Sequence, residues 1–198
     1  MLVDIYFCLG SVAMDSNDFD ASRVYKERSL DLCLKICTEL GTEDERLYLA
    51  YAERAISRIQ DRRYEESEAD LKEALRIRKA LGNYVPRSGE ANLSYALVAQ
   101  GKLEECNTLL LESREGREMA LGKDDREGPR TGLILYPLLY PLGNLRAAQC
   151  RLDESFEYHD RAWRHMRATV GERDAYTAIA AHKMAEHMFC LGRSEEAM

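Results

Sequence analysis

Five four-residue segments constrain this chain more than any other feature: Phe-Asp-Ala-Ser at 19–22, Tyr-Glu-Glu-Ser at 64–67, Leu-Glu-Glu-Cys at 103–106, Leu-Asp-Glu-Ser at 152–155 and Ser-Glu-Glu-Ala at 194–197. Each suits the opening of a helix. An apolar residue anchors the first four copies, acidic residues occupy the first turn where the helix dipole is positive, and a small residue follows where two helices cross closely. The stretch from Leu142 to Gly171 shows a whole unit: an apolar-periodic run, a short break at Gln149 to Arg151, and a second periodic run. That pattern predicts a helix, a tight turn and another helix. Leu40-Gly41, Leu81-Gly82, Leu121-Gly122 and Val170-Gly171 close the first four units with a glycine placed to end a helix in the left-handed conformation.

A chain of 198 residues with 45% hydrophobic and 32% charged residues is long enough to bury a core and too apolar to be disordered. No segment alternates strictly between polar and apolar, so an all-α chain is predicted. The net charge of -7 argues against nucleic acid and anionic membrane as partners, because binding phosphate requires a clustered positive surface. Cys8, Cys33, Cys37, Cys106, Cys150 and Cys190 fall within helical runs or at an inter-helix turn and read as reduced thiols of a cytoplasmic protein. The apolar segment 1–14 carries Asp4 and no basic leader, and fits the repeat better than a secretory signal. No run approaches the ~18 apolar residues of a membrane span.

Aligning the quartets aligns the helices before them. Tyr6, Leu9, Gly10, Ala13, Asn17, Phe19, Ser22 and Ser29 of copy one stand where copy four has Leu139, Leu142, Gly143, Arg146, Cys150, Leu152, Ser155 and Ala162. Copy three supplies Glu90, Leu93, Ser94, Leu97, Gly101, Leu103, Cys106 and Ser113, and copy five Ala181, Met184, Ala185, Met188, Gly192, Ser194 and Ala197. This pattern resembles the tetratricopeptide repeat. The quartets begin 45, 39, 49 and 42 residues apart, nearer the kinesin-light-chain style of roughly 42 residues than the common form of about 34. Copies one and four look most like the C-terminal repeat region of fungal NACHT/NB-ARC-type signalling proteins. The resemblance implies a right-handed α-α superhelix of four helical hairpins and a partial fifth, with approximate repeats at 3–43, 44–85, 86–126, 133–173 and 174–198. Copy five stops just after its quartet, so the chain reads as a fragment of a longer array or one completed by a partner, with self-association through incomplete terminal repeats as one outcome.

Two departures carry structural expectations. In copy two, Arg54 and Arg58 occupy positions that should be apolar, and Arg62 replaces the turn glycine. A rotated first helix packing Tyr51, Ala55 and Ile59 is expected there. In copy four, residues 135–138 are repeated as 139–142, which places Pro141 inside the expected first helix. A proline there costs roughly 3 kcal/mol unless it lies in the first turn, so the regular helix is predicted to begin near Pro141 after an irregular lead-in.

Candidates for chemistry weigh poorly against simple packing. Cys33 and Cys37 lie one turn apart but lack further ligands for a tetrahedral site. His182 and His187 are five apart on one predicted helix, rotated by about 140° from each other, so a zinc-dependent hydrolase is only a remote alternative and both read as exposed polar groups. His159, with Trp163 one turn later, reads as a satisfied core histidine. No glycine loop ends in the Gly-Lys-Ser/Thr of a phosphate site, and no cofactor or metal is predicted. In the resembling family the first helices line a concave groove. The groove candidates are then Phe7, Ser11, Ile56, Asn92, Tyr95, Tyr140, Asn144, His182 and Glu186, with Ala52 and Ala91 beside them. Chaperone-tail binders of that family hold a carboxylate with a basic clamp, whereas this chain has Phe7, Ser11, Glu53, Ser88 and Asn92 at those places. The expected function is a non-catalytic scaffold that binds a protein segment in the groove, with Tyr95 and Tyr140 as anchors and Asn92 and Asn144 bonding its backbone. A detached structural or oligomerising piece of a larger signalling ATPase is the alternative.

Overall fold

The computed structural model describes residues 2–82, 88–121 and 129–190, with side chains at 88, 117–121 and 129–137 left aside. Among the described residues the chain is entirely helical: α1 (Leu2–Asp15), α2 (Phe19–Leu40), α3 (Glu45–Gln60), α4 (Tyr64–Ala80), α5 (Ser88–Ala99), α6 (Leu103–Leu121), α7 (Pro129–Ala148), α8 (Leu152–Thr169) and α9 (Ala175–Cys190). They pair as hairpins α1/α2, α3/α4, α5/α6 and α7/α8, with α9 packed on α8. Two compact units result, Met1–Tyr84 and Val85–Met198.

The first four quartets do what their chemistry requires. Phe19, Tyr64, Leu103 and Leu152 are the first residues of α2, α4, α6 and α8, and the quartet's acidic residues fill each first turn. The fifth quartet lies outside the described residues. The small fourth residue is fully buried in each copy and reaches the same backbone carbonyl of the preceding helix, twelve residues earlier. Ser22 Oγ donates to Gly10 O at 2.9 Å, Ser67 Oγ to Ala55 O at 3.0 Å and Ser155 Oγ to Gly143 O at 2.7 Å; Cys106 Sγ lies 3.7 Å from Ser94 O. A larger side chain would push these helices apart.

The turn before each quartet also repeats. The residue two places ahead of it has a left-handed backbone, φ 59° at Asn17, Arg62 and Cys150 and 73° at Gly101. The amide after it bonds the carbonyl five residues back, as Asp18 to Ala13, Arg63 to Arg58, Lys102 to Leu97 and Arg151 to Arg146. This is the helix-ending motif in which two late amides satisfy orphan carbonyls. Of the glycine stops, Gly41, Gly82 and Gly171 have φ of 68°, 83° and 98°; Gly122 lies outside the described residues.

The core of the first unit gathers Val3, Leu30, Cys33, Leu47, Tyr48, Ala50, Ala74 and Ile77 from all four of its helices. The second buries Leu93, Leu97, Leu110, Leu138, Leu142, Leu145, Ala162 and Met166.

Two sequence expectations are corrected. The first helix of copy two buries Ala55 and packs Tyr51 against the core as expected, but it is not rotated: the Ser67 to Ala55 bond holds α3 in the register of the other copies. Arg54 and Arg58 keep the positions that the pattern reserves for apolar residues because the buried Asp70 accepts from both, at 2.7 Å each, while Arg54 also reaches Glu27 at 3.1 Å. Nor does a regular helix wait for Pro141. α7 starts at Pro129, whose missing N–H is harmless at a first helical position, and runs through Pro137 and Pro141. The buried Leu138, Leu139, Leu142 and Leu145 supply the packing that offsets the lost backbone bonds.

Candidate functional site

In the second unit α7, α8 and α9 bound an open cleft of about 430 Å³. α7 contributes Asn144 and Ala147, α8 contributes Leu152, and α9 contributes Lys183, Glu186, His187, Phe189 and Cys190. Lys183 Nζ pairs with Glu186 at 2.6 Å, and His182 Nε2 lies 3.4 Å from the same carboxylate. The hydrogen bond from Lys183 holds the Glu186 carboxyl below its ordinary range, and the same bond raises Lys183. Both are therefore charged near neutral pH, on a lining that is otherwise largely apolar.

Two tyrosines lie outside this lining but within electrostatic reach of its Lys183. Tyr95, on α5, is half exposed at 51%. Tyr140, on α7, is half-buried, and burial raises its phenol. The Tyr95 phenol acts electrostatically on both Tyr140 and Lys183. Asn92 is half-buried on α5.

The sequence-predicted groove residues divide between the two units. Phe7, Ser11 and Ile56 belong to the first, where all three are half-buried and Ser11 Oγ bonds its own helix at Phe7 O, 3.2 Å away. Tyr140, Asn144 and Glu186 come together in the second, with His182 exposed beside Glu186. None of the nine is fully buried.

His187 corrects its prediction. It is 7% exposed rather than a surface group, stacked on His159 with ring centroids 5.2 Å apart, and its Nε2 is 2.9 Å from Ser155 Oγ. His182 instead faces outward, 73% exposed, so the two imidazoles share no ligand position. Among the described residues no group of three or more His, Cys, Asp or Glu side chains is placed to hold a metal ion.

The Ser155 and His187 pair has the composition of a nucleophile with its base but the wrong proton arrangement. The single Ser155 hydroxyl proton is donated to Gly143 O at 2.7 Å, so at His187 the hydroxyl accepts and Nε2 carries the hydrogen. An imidazole nitrogen that is donating cannot take the serine proton, and the oxygen is fully buried.

His159 is buried as predicted, yet neither ring nitrogen finds a partner among the described residues. Burial, the neighbouring His187 and Lys183 push it down to about 4, and burial likewise lowers His187. Its ring meets Tyr140 edge-on at 5.0 Å, while Trp163 is half-buried under the Arg167 guanidinium. Cys33 is buried and its thiol raised to about 11 by burial, as Cys106 is to about 12. Such thiols are poor nucleophiles and poor metal ligands at neutral pH.

No protein-family model and no curated protein sequence matches the chain. Solved structures do. The crystal structure of BtubC (BKLC) from P. vanneervenii superposes with a TM-score of 0.71 at 18% identity, covering 98% of this chain and 75% of the other. A Podosopora anserina protein described as a kinesin light chain of nearly identical TPR-like repeats superposes at 0.64 with 15% identity, covering 98% and 89%; a singly substituted form of that protein gives 0.65. The fold is a tetratricopeptide-like repeat array. In such an array the recurrent bond from the quartet's small residue to the preceding helix is the unit of register, and the cleft lies between successive repeats rather than within one hairpin. Sequence reasoning misses Lys183 and the buried place of His187 because nothing local distinguishes them; Lys183 is held by Glu186 on its own helix, and His187 is positioned by His159 and Ser155 of α8.

Proposed function

We propose that this chain is a non-catalytic protein-interaction scaffold that takes a peptide segment, extended or helical, along the cleft of its second unit. The observation that carries this reading is the cleft itself: an apolar lining of Ala147, Leu152 and Phe189 edged by Asn144, Lys183 and Glu186, at a volume within the ~300–1,000 Å³ of ordinary binding pockets. Tyr95 and Tyr140 serve as aromatic anchors and Asn92 and Asn144 as partners for the ligand backbone, since tyrosine gives much contact area for little ordering and asparagine offers both donor and acceptor. The charged pair on α9 adds selectivity by leaving a mismatched apolar segment with two desolvated charges to face.

A cytoplasmic setting suits the free thiols, and no described helix is long and apolar enough to cross a membrane. The resemblance of copies one and four to the repeat regions of fungal signalling proteins supports a sensor or adaptor role for the array.

Selection from a displayed random-peptide library against the intact chain tests the reading. Enriched peptides are expected to bind the wild type and to lose roughly tenfold or more in affinity, about 1.4 kcal/mol, to a Tyr95→Ala, Tyr140→Ala double variant of unchanged helicity. Enriched peptides that bind both proteins equally would remove the assignment.

A further inference from the structure

His187 of the cleft lining and His159 beside it form a pair of imidazoles to which the proposed peptide recognition gives no role. His159 is wholly buried, and among the described residues both of its nitrogens are unpartnered. The equivalent positions of copies two and three hold Leu71 and Leu110, both buried, so the fold can fill this space with hydrocarbon and gains no hydrogen bond from the ring. On the α7 side the ring lies so close to the backbone that a Cβ on Gly143 would stand 2.5 Å from its Nε2. On the α9 side His187 stacks against it at an interplanar angle of 21°.

Among the described residues, the groups facing this pair compensate a proton only weakly. α7 presents the neutral Tyr140 phenol and α8 the neutral Ser155 hydroxyl. α9 presents Lys183, whose charge opposes a second cation, and Glu186, whose carboxylate is already bonded to Lys183. Tyr95 of α5 acts on Tyr140 and Lys183. A proton on either imidazole thus creates a buried cation beside a second ring, with no counter-ion of its own among the described residues, which is a costly state unless water reaches it.

α9 is the element that can admit the water. α7 and α8 are joined by a short turn and by the Ser155 to Gly143 bond. The start of α9 is held by its own short turn and by Thr177 Oγ1 donating to Gly171 O at 2.8 Å, while further along α9 the polar contact with α8 is Ser155–His187, which involves a member of the titrating pair. We propose that the His159–His187 stack is a proton-operated latch, holding α9 on α8 when neutral and releasing α9, with the cleft wall it carries, when protonated. The latch is a property of the chain alone and holds whatever occupies the cleft.

Hydrogen exchange followed by mass spectrometry on the full chain at about pH 7.5 and about pH 5, corrected for intrinsic exchange, reads it directly. Protection of 175–190 is expected to fall roughly tenfold or more at the lower pH while 64–80 keeps its protection, and His159→Leu should greatly reduce the difference. Equal protection of 175–190 at both pH values, or a loss shared evenly by all helices, overturns the proposal. His187→Gln, which keeps an N–H for Ser155 but removes one titrating ring, covers the case in which the first variant does not fold; an undiminished pH response in it is equally fatal.

Discussion

Arg62 and Cys150 hold a left-handed backbone that side chains disfavour by about 1–2 kcal/mol. The same position is asparagine in copy one, which tolerates that conformation, and glycine in copy three. Cys150 is exposed, so Cys150→Gly removes the strain without opening a cavity and should raise stability by about 0.5–1 kcal/mol after the added freedom of the unfolded chain is subtracted. Urea denaturation followed by Trp163 fluorescence checks this, and a midpoint that stays or falls would show the turn to be unstrained. A second residue-scale pairing links helices. Glycine lies opposite the long polar residue in copies one and four (Gly10 with Lys26, Gly143 with His159), whereas Ala55 and Ser94 precede Leu71 and Leu110. Gly143→Ala should therefore cost about 1–3 kcal/mol through overlap with the imidazole, and the same change in a His159→Leu background should cost far less. Additive losses in that double-mutant cycle would mean the two positions do not compete for space.

The packing of α3 on α4 depends on charge at a point where the repeat ordinarily uses hydrocarbon. Asp70 is 3% exposed and accepts from Arg54 and Arg58 together. Asp70→Ala leaves both guanidiniums half-buried without their shared acceptor and should cost about 3–5 kcal/mol, whereas leucine at 54, 58 and 70 together should be near neutral or stabilising. Thermal melts by circular dichroism distinguish the two, and a triple variant as unstable as the single would show that the ion cluster is required for packing. This cluster also marks the limit of what sequence pattern reveals. The starts of α2, α4, α6 and α8 are legible because each quartet states its helix start locally, through an acidic first turn and a small fourth residue. Copy two suggests a rotated helix because Asp70 satisfies Arg54 across 16 residues and Arg58 across 12, beyond any local signal. The start of α7 is misplaced by pattern because a proline penalty is visible in sequence, while the burial of Leu138 to Leu145 that offsets it is not. At the site the exposed faces of Tyr95, Asn144 and Glu186 follow from helical periodicity, but the contact of His187 with His159 and Ser155 depends on how α9 meets α8.

At the scale of the whole molecule, buried groups that are held neutral shape stability from both ends of the pH range. Cys33, in the first unit, and Cys106, in the second, have thiols raised by burial from 9.0 to about 11 and about 12. A raised value means stability that is present below the unfolded pKa and lost as pH climbs toward the folded one, so both act only on the alkaline side. The acid side belongs to the second unit. His159 is lowered from 6.5 to about 4, so between these values the unfolded chain binds more protons than the folded one. The stability is complete above pH 6.5 and drains away as pH falls toward 4, and His187 shifts in the same direction. Near pH 5 the loss from His159 alone should be on the order of 2 kcal/mol, because each unit of displacement is worth about 1.4 kcal/mol. The chain's one tryptophan, Trp163, lies on α8 and reports on this unit. Its urea midpoint should fall steeply from about pH 7 to about pH 5 in the wild type and much less in His159→Leu. The carboxylates held down by arginine, Asp44, Glu66 and Glu73, start from ordinary values of 3.8 and 4.5, below that window, and cannot mimic the effect. Equal acid slopes in the two proteins would mean that the buried imidazole is hydrated in the folded state.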